Sequence, residues 1–138
     1  MRRAVAVFGI LALASLPGVA VAQNVERAPP GGAYKNVSEL VKLPDFLPGL
    51  GTLYVNPSTL PEGPFLAYDH TGKLVSTIYM IPLKDLDSQK GFPDLAAPGG
   101  KVDHATISYN AGHPGVPDPY YHIVLCHIPK AQEQLVAK

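Results

Sequence analysis

The sequence lacks several features on which common functions depend. Its 138 residues include one cysteine, so an intrachain disulfide cannot form. Lys and Arg together number 11, and so do Asp and Glu, which gives a formal net charge of zero. A nucleic-acid-binding protein needs a clear basic excess, and this class is therefore excluded. The sequence also contains no His-Glu-x-x-His, Cys-x-x-Cys or Gly-x-Ser-x-Gly motif, so no standard zinc or serine-hydrolase signature applies.

Only one long apolar run is present, and it is too short to span a bilayer. It extends from Ala4 to Leu16 and follows the positive start Met1-Arg2-Arg3. Pro17 and Gly18 end it, and Ala20-Val21-Ala22 has the small-x-small form that signal peptidase accepts. We therefore predict a signal peptide over residues 1–22, cleavage between Ala22 and Gln23, and a periplasmic or secreted protein without membrane attachment. A retained membrane anchor is the alternative.

Helix-breaking residues are abundant, since the chain has 15 prolines and 13 glycines. This composition excludes long helices and favours short elements joined by ordered loops. Residues 23–33 form a polar, Pro/Gly-rich leader that we expect to be mobile. Residues 34–138 are then a single domain, which begins with a short helix capped by Asn36 or Ser38.

The rest of the chain alternates between short apolar runs and turns. The loop Asp69-His70-Thr71-Gly72 lies between two such runs and predicts a β-hairpin. We predict four or five strands, drawn from residues 51–56, 65–68, 73–81, 102–109 and 120–128. Lys130 to Lys138 predicts a short C-terminal helix. The fold class is mostly β (α+β): a small antiparallel β-sheet domain with hairpins and short helices near both ends.

Four of the five histidines lie between residues 104 and 127, on the last two predicted strands and their loop. Imidazole is the usual ligand of zinc and copper, and three ligands plus water form an open site. We predict that His104, His113 and His122 bind one divalent transition metal, zinc or copper. Because side chains alternate along a strand, His122 and Cys126 share one face, and His127 lies on the other. The register that would place His104 relative to His122 is left open by the sequence.

Several neighbours are additional candidates for this site. His127 is a reserve ligand, and Cys126 is either a ligand or a small apolar core residue. Asp103 and Asp118 are carboxylates that can orient an imidazole from outside the ligand shell. Tyr120 can line the pocket. His70, in the hairpin turn, is expected to be a solvated surface residue.

Three functions remain open at this stage. The first is a metal-binding protein, and the second is a small metal-dependent or acid–base hydrolase that uses the same histidines. The third is a structural or oligomer-forming envelope protein without a metal, in which the histidines and tyrosines pack in the core or at an interface. Whether the protein is an enzyme is left undecided.

The C-terminal half resembles a group of small exported bacterial proteins of unknown function. Those proteins carry an Asp-His strand, a Gly-His-x-Pro loop and a Pro-His-aromatic segment. The matching residues here are Asp103-His104, Gly112-His113-Pro114 and Pro119-Tyr120-Tyr121-His122. The resemblance covers residues 51–129 and implies a compact β-rich domain in which the histidines form a metal site. Tyr120 stands where that group has a histidine, which removes one ligand from the implied site.

Overall fold

The computed structural model describes residues 24–138, so the predicted signal peptide and its cleavage site lie outside the described residues. Seven strands occur in this part of the chain: β1 (Lys35–Asn36), β2 (Phe46–Leu47), β3 (Gly51–Val55), β4 (Phe65–Tyr68), β5 (Leu74–Pro82), β6 (His104–Asn110) and β7 (Tyr120–Cys126). The helices are short: α1 (Val37–Leu40), α2 (Leu83–Asp87) and two 3-10 helices at Pro57–Thr59 and Lys130–Val136. None of the helices in residues 24–138 has the length and hydrophobicity of a membrane span.

All seven strands form one antiparallel sheet in the order β1-β3-β4-β5-β7-β6, with β2 also paired to β3. The predicted mostly β fold class is thereby confirmed, and the five predicted strands correspond to β3 through β7. The two further strands, β1 and β2, have two residues each. A two-residue strand is too short to show an alternating pattern, so neither could be recognised from the sequence.

One face of the sheet, here called the inner face, carries the hydrophobic core. Leu53, Val55, Phe65, Ile78 and Met80 are buried there because alternate residues of paired strands point to the same side. Helix α1 covers this face through its buried residue, strand β2 packs against the core, and the C-terminal 3-10 helix closes it. The residues that make these contacts are Val37, Phe46, Leu47 and Val136.

The opposite face, here called the outer face, is covered in part by the N-terminal segment. Val25 is buried there, and its carbonyl oxygen accepts a 2.7 Å hydrogen bond from the hydroxyl of the fully buried Tyr68. The amide of Ala28 donates to the carbonyl of Gly72 at 2.9 Å, and the amide of Leu74 donates to the carbonyl of Glu26 at 3.1 Å. The expectation of a mobile leader over residues 23–33 therefore needs correction for its described part, because these bonds hold the segment against the hairpin.

The long loop between α2 and β6 covers the outer face of β5. Thr77, which is fully buried, donates a 2.6 Å hydrogen bond to the carbonyl of Pro98. The hydroxyl of Tyr79 donates to the carbonyl of Ala96 at 2.7 Å. Beyond β5, the edge strand β6 remains exposed along almost its whole length. The sheet therefore has one covered half and one open edge, and the candidate site lies at that edge.

Candidate metal centre

Strands β6 and β7 bring an imidazole and a thiol together. The two strands pair without a bulge, and His104 lies directly opposite Cys126. Residues directly opposite each other in an antiparallel pair have Cβ atoms about 4.5–5.5 Å apart and point to the same face. The register therefore settles the point that the sequence left open: His104, Cys126 and His122 all lie on the inner face.

Two carboxylates hold the imidazole of His104. Its Nε2 lies 2.8 Å from Oε1 of Glu133, on the C-terminal 3-10 helix, and its Nδ1 lies 2.8 Å from Oδ1 of Asp103. One ligand atom from each of His104, Cys126 and Glu133 lies within 4.8 Å of the others. Across residues 24–138 this is the one group of three or more His, Cys, Asp and Glu side chains whose ligand atoms lie close enough together to hold a metal ion. The predicted role of Asp103 as an orienting carboxylate agrees with its contact to Nδ1.

The charges of these groups are coupled. Hydrogen bonds that the ring donates to Asp103 and to Glu133 raise the pKa of His104, because both carboxylates stabilise the imidazolium. Burial raises the pKa of the Cys126 thiol, and the negative charges of Glu133 and Asp103 raise it further. Without a cation, the cluster therefore favours the protonated form of His104 and the neutral form of the Cys126 thiol.

A cavity of about 610 Å³ opens beside the cluster. Its lining combines hydroxyl groups from β5 and β6, polar side chains of the C-terminal 3-10 helix and aliphatic side chains. Besides the three donor residues, the lining includes the polar residues Ser76, Thr106, Ser108, Lys130 and Gln134 and the apolar residues Val75, Val124 and Ile128. Cavities of this size accommodate small organic molecules. The donor cluster is therefore accessible to a small ligand or to water.

The three predicted ligands do not converge. His122 lies opposite Ser108, four residues along β7 from Cys126, which is the partner of His104. Four residues of strand correspond to about 13 Å. The prediction that His104 and His122 share one ion with His113 therefore needs correction. The shared face alone is not sufficient, because the rings lie too far apart along the strands.

His113 and His122 belong instead to a second group around Tyr120. The ring centroids of Tyr120 and His122 are 4.9 Å apart, and those of His113 and Tyr120 are 6.2 Å apart. Burial lowers the pKa of His122, and the charge of His113 lowers it further. Tyr120 is itself buried in the core. This group is an aromatic packing cluster in which burial favours the neutral form of His122.

The remaining candidate residues contact partners outside the His104 cluster. His127 lies on the outer face, as its parity predicts, where Nε2 is 2.8 Å from Oγ1 of Thr77 and Nδ1 is 3.1 Å from the carbonyl of Lys101. Asp118 forms an exposed 3.0 Å ion pair with Lys84 and orients no imidazole. His70 is exposed in the hairpin turn, as predicted, and its ring also stacks on Phe46 at 3.7 Å, with Nε2 2.7 Å from the carbonyl of Lys138.

A solved structure shares this fold and much of this sequence. The crystal structure of hypothetical protein TTHB210 from Thermus thermophilus is 46% identical, with a TM-score of 0.63, and the match covers 69% of this chain and 93% of that one. The chain belongs to the TTHB210-like family. The model of that family matches residues 69–109. No curated protein matches the chain.

The matched segment of this TTHB210-like chain contains only part of the candidate centre. Asp103 and His104 fall within residues 69–109, and Cys126 and Glu133 lie beyond them. Glu133 is the donor that the sequence analysis missed. It lies in a short segment that looks like an ordinary amphipathic tail, and no spacing in the sequence indicates that this tail returns to β6.

Proposed function

We propose that this TTHB210-like protein is an exported metal-binding protein whose ion is held by His104, Cys126 and Glu133. The observation that carries the proposal is the meeting of three different donor atoms within 4.8 Å at the end of one strand pair. Imidazole nitrogen, thiolate sulfur and carboxylate oxygen are the three protein ligand types of zinc. We infer zinc rather than copper(II), because copper(II) prefers tetragonal sites of nitrogen and oxygen.

The position of the three donors supports an open site rather than a closed structural one. Three protein ligands leave the fourth tetrahedral position free, and structural zinc sites usually fill all four. The cavity of about 610 Å³ adjoins the donor cluster, because His104, Cys126 and Glu133 all belong to its lining. Asp103, at 2.8 Å from Nδ1, supplies the outer carboxylate that fixes the orientation of a ligating imidazole.

The charges of the proposed ligands also favour a divalent cation such as zinc. A thiolate and a carboxylate contribute two negative charges, which a divalent cation neutralises within a half-buried site. Burial and the nearby carboxylates raise the pKa of the Cys126 thiol. A bound cation would lower this pKa again and deprotonate the thiol. In the metal-free state a proton on His104 can take the place of the cation, because a protonated ring forms ion pairs with Glu133 and Asp103.

Export is part of the proposal and is supported by the sequence. The positive start, the apolar run to Leu16 and the small-x-small site ending at Ala22 have the form of a secretory signal. The resemblance of the C-terminal half to small exported histidine-containing proteins agrees with this location. A metal site contributes stability to an exported domain whose one cysteine has no disulfide partner within the chain.

The cavity favours a second candidate function, a small metal-dependent hydrolase. A zinc-bound water in the open position would be activated for attack on a substrate held in the cavity. This candidate requires zinc-dependent turnover of small ester or amide substrates, and turnover should vanish in the Cys126→Ser variant. A protein that binds zinc without turning over such substrates supports simple metal binding.

Cobalt(II) substitution tests the proposed ligands directly. A tetrahedral cobalt site with one thiolate ligand gives d–d absorption bands in the visible range and a sulfur-to-cobalt charge-transfer band in the near ultraviolet. We expect one cobalt per chain, with both features, in the mature protein. Cys126→Ser should lose the charge-transfer band, and Glu133→Gln should weaken binding at least about tenfold.

His113→Ala is the matched control, since it removes an imidazole from the Tyr120 cluster and leaves the three donors intact. We expect cobalt binding and its spectrum to be unchanged in this variant. Absence of metal binding by the wild-type protein would refute the proposal. Loss of binding in His113→Ala with retention in Glu133→Gln would move the site to the other histidines.

A further inference from the structure

The edge strand β6 is unusually open. Five of its seven residues are exposed, including the large apolar side chains of Ile107 (68% exposed) and Tyr109 (56%). Both residues point to the outer face, beside Ala105, as the pairing with β7 requires. The edge of a sheet also presents every second backbone N–H and C=O group without a ladder partner. An edge of this length with apolar side chains is suited to pair with another strand.

The usual protections of an edge strand are missing from β6. Its sequence, HATISYN, has no lysine, aspartate, glutamate or proline, and its pairing with β7 runs in unbroken register. Natural edge strands avoid unwanted pairing through such charges, prolines and bulges, or through very short length. Apart from His104 at its first position, β6 has none of these protections, so its edge is open to pairing with another strand.

The strand is complementary to itself. When two copies of HATISYN are aligned antiparallel about their middle residue, Ile107 faces Ile107, and Ala105 faces Tyr109 on the outer face. On the inner face Thr106 then faces Ser108, and His104 faces Asn110. Apolar residues meet apolar residues, hydroxyls meet hydroxyls, and no pair opposes like charges. A two-fold axis is the arrangement that a self-complementary patch generates.

We propose that β6 pairs antiparallel with β6 of a second copy of this chain, about a two-fold axis at Ile107, and joins the two sheets into one. This inference stands on the edge strand alone and does not depend on metal binding. It also has a consequence for the candidate centre, because pairing places Asn110 of the partner subunit opposite His104. The wall of the cavity formed by His104, Thr106 and Ser108 would then be completed by the second copy.

Sedimentation equilibrium of the purified mature protein tests this pairing. We expect a monomer–dimer equilibrium in the wild-type protein. Ile107→Lys places two like charges at the axis and should raise the dimer dissociation constant at least about tenfold. Leu86→Lys is the matched control, since Leu86 is another exposed apolar residue (43%) that lies on α2, away from β6. This control should dimerise like the wild type.

Two further measurements separate pairing at Ile107 from any other association. An equimolar mixture of Ile107→Lys and Ile107→Glu chains should recover the dimer, because opposite charges then face each other at the axis. Ile107→Cys should form an intersubunit disulfide on mild oxidation, since directly opposite residues bring their Cβ atoms to disulfide distance, whereas Leu86→Cys should not. A wild-type monomer at its highest soluble concentration, or a dimer unaffected by Ile107→Lys, would overturn the proposal.

Discussion

Replacement of Cys126 by serine should change the number of protons that zinc displaces. A ligating imidazole must be neutral and a ligating cysteine must be a thiolate, so binding expels the protons that these groups carry. In the metal-free protein His104 is stabilised as an imidazolium by two carboxylates, and the buried thiol of Cys126 is held neutral. Both pKa values are raised, so both groups carry protons over a wider range of pH than they would in an unfolded chain.

The size of the effect follows from this count. At a pH below both pKa values zinc displaces two protons, and the apparent affinity rises about 100-fold per pH unit. At a pH between the two values only the thiol proton is displaced, and the rise is about tenfold per unit. Serine has no proton to lose in this range. In Cys126→Ser the apparent zinc affinity should therefore rise only about tenfold per pH unit below the pKa of His104. Above that pKa it should not change with pH.

Isothermal titration calorimetry measures the proton count. Zinc is titrated at one pH in two weakly coordinating buffers of different protonation enthalpy, and the difference in observed heat gives the protons released. Competition with a chromophoric chelator, repeated across a series of pH values, gives the slope of affinity independently. His113→Ala should behave like the wild type in both assays. Equal proton release by the wild type and Cys126→Ser would contradict the assignment of the thiolate as a ligand.

Two further outcomes concern the protein without metal. Gly51 has a φ of +108°, and an added Cβ would overlap the backbone carbonyl of Tyr68, so Gly51→Ala should lower the free energy of unfolding by at least about 2 kcal/mol in urea titrations. Gly91→Ala, with open space around its Cβ position, should change it by less than about 0.5 kcal/mol. The raised pKa of His104 means that the stability from its ion pairs is fully present below its ordinary pKa and is lost as the pH rises through the raised value. His104→Ala should remove that decline from urea titrations at a series of pH values, and an unchanged decline would show that another group causes it.

The strands that could be predicted are those with a strong local pattern. The hairpin of β4 and β5, the strand β7 with apolar residues on both faces, and the alternating β6 all follow from side-chain periodicity and turn residues. The N-terminal segment was misjudged because its composition is that of a linker. What holds it is the hydroxyl of Tyr68 and backbone bonds to the hairpin, and these partners are more than 40 residues away in sequence.

The candidate site was predicted in part for a similar reason. Strand parity placed Cys126 and His122 on one face and His127 on the other, and the structure agrees. Parity does not give distance along the strands, and the register shows that His104 lies beside Cys126 and about 13 Å from His122. Glu133 required knowledge of where the C-terminal segment lies, which depends on tertiary contacts such as that of Val136 with the core.

The contacts of His104 have two physical interpretations, and both describe one cluster under different conditions. As an imidazolium it joins β6 to the C-terminal helix through Glu133, a contact that needs no metal. As a neutral ring it offers Nε2 to a cation, at the position where Glu133 and Cys126 supply their own ligand atoms. The proton and the cation compete for one place between the same negative groups. The choice between them is therefore set by pH and metal concentration, and proton release on metal binding is the measurement that distinguishes a metal centre from an ion-pair contact alone.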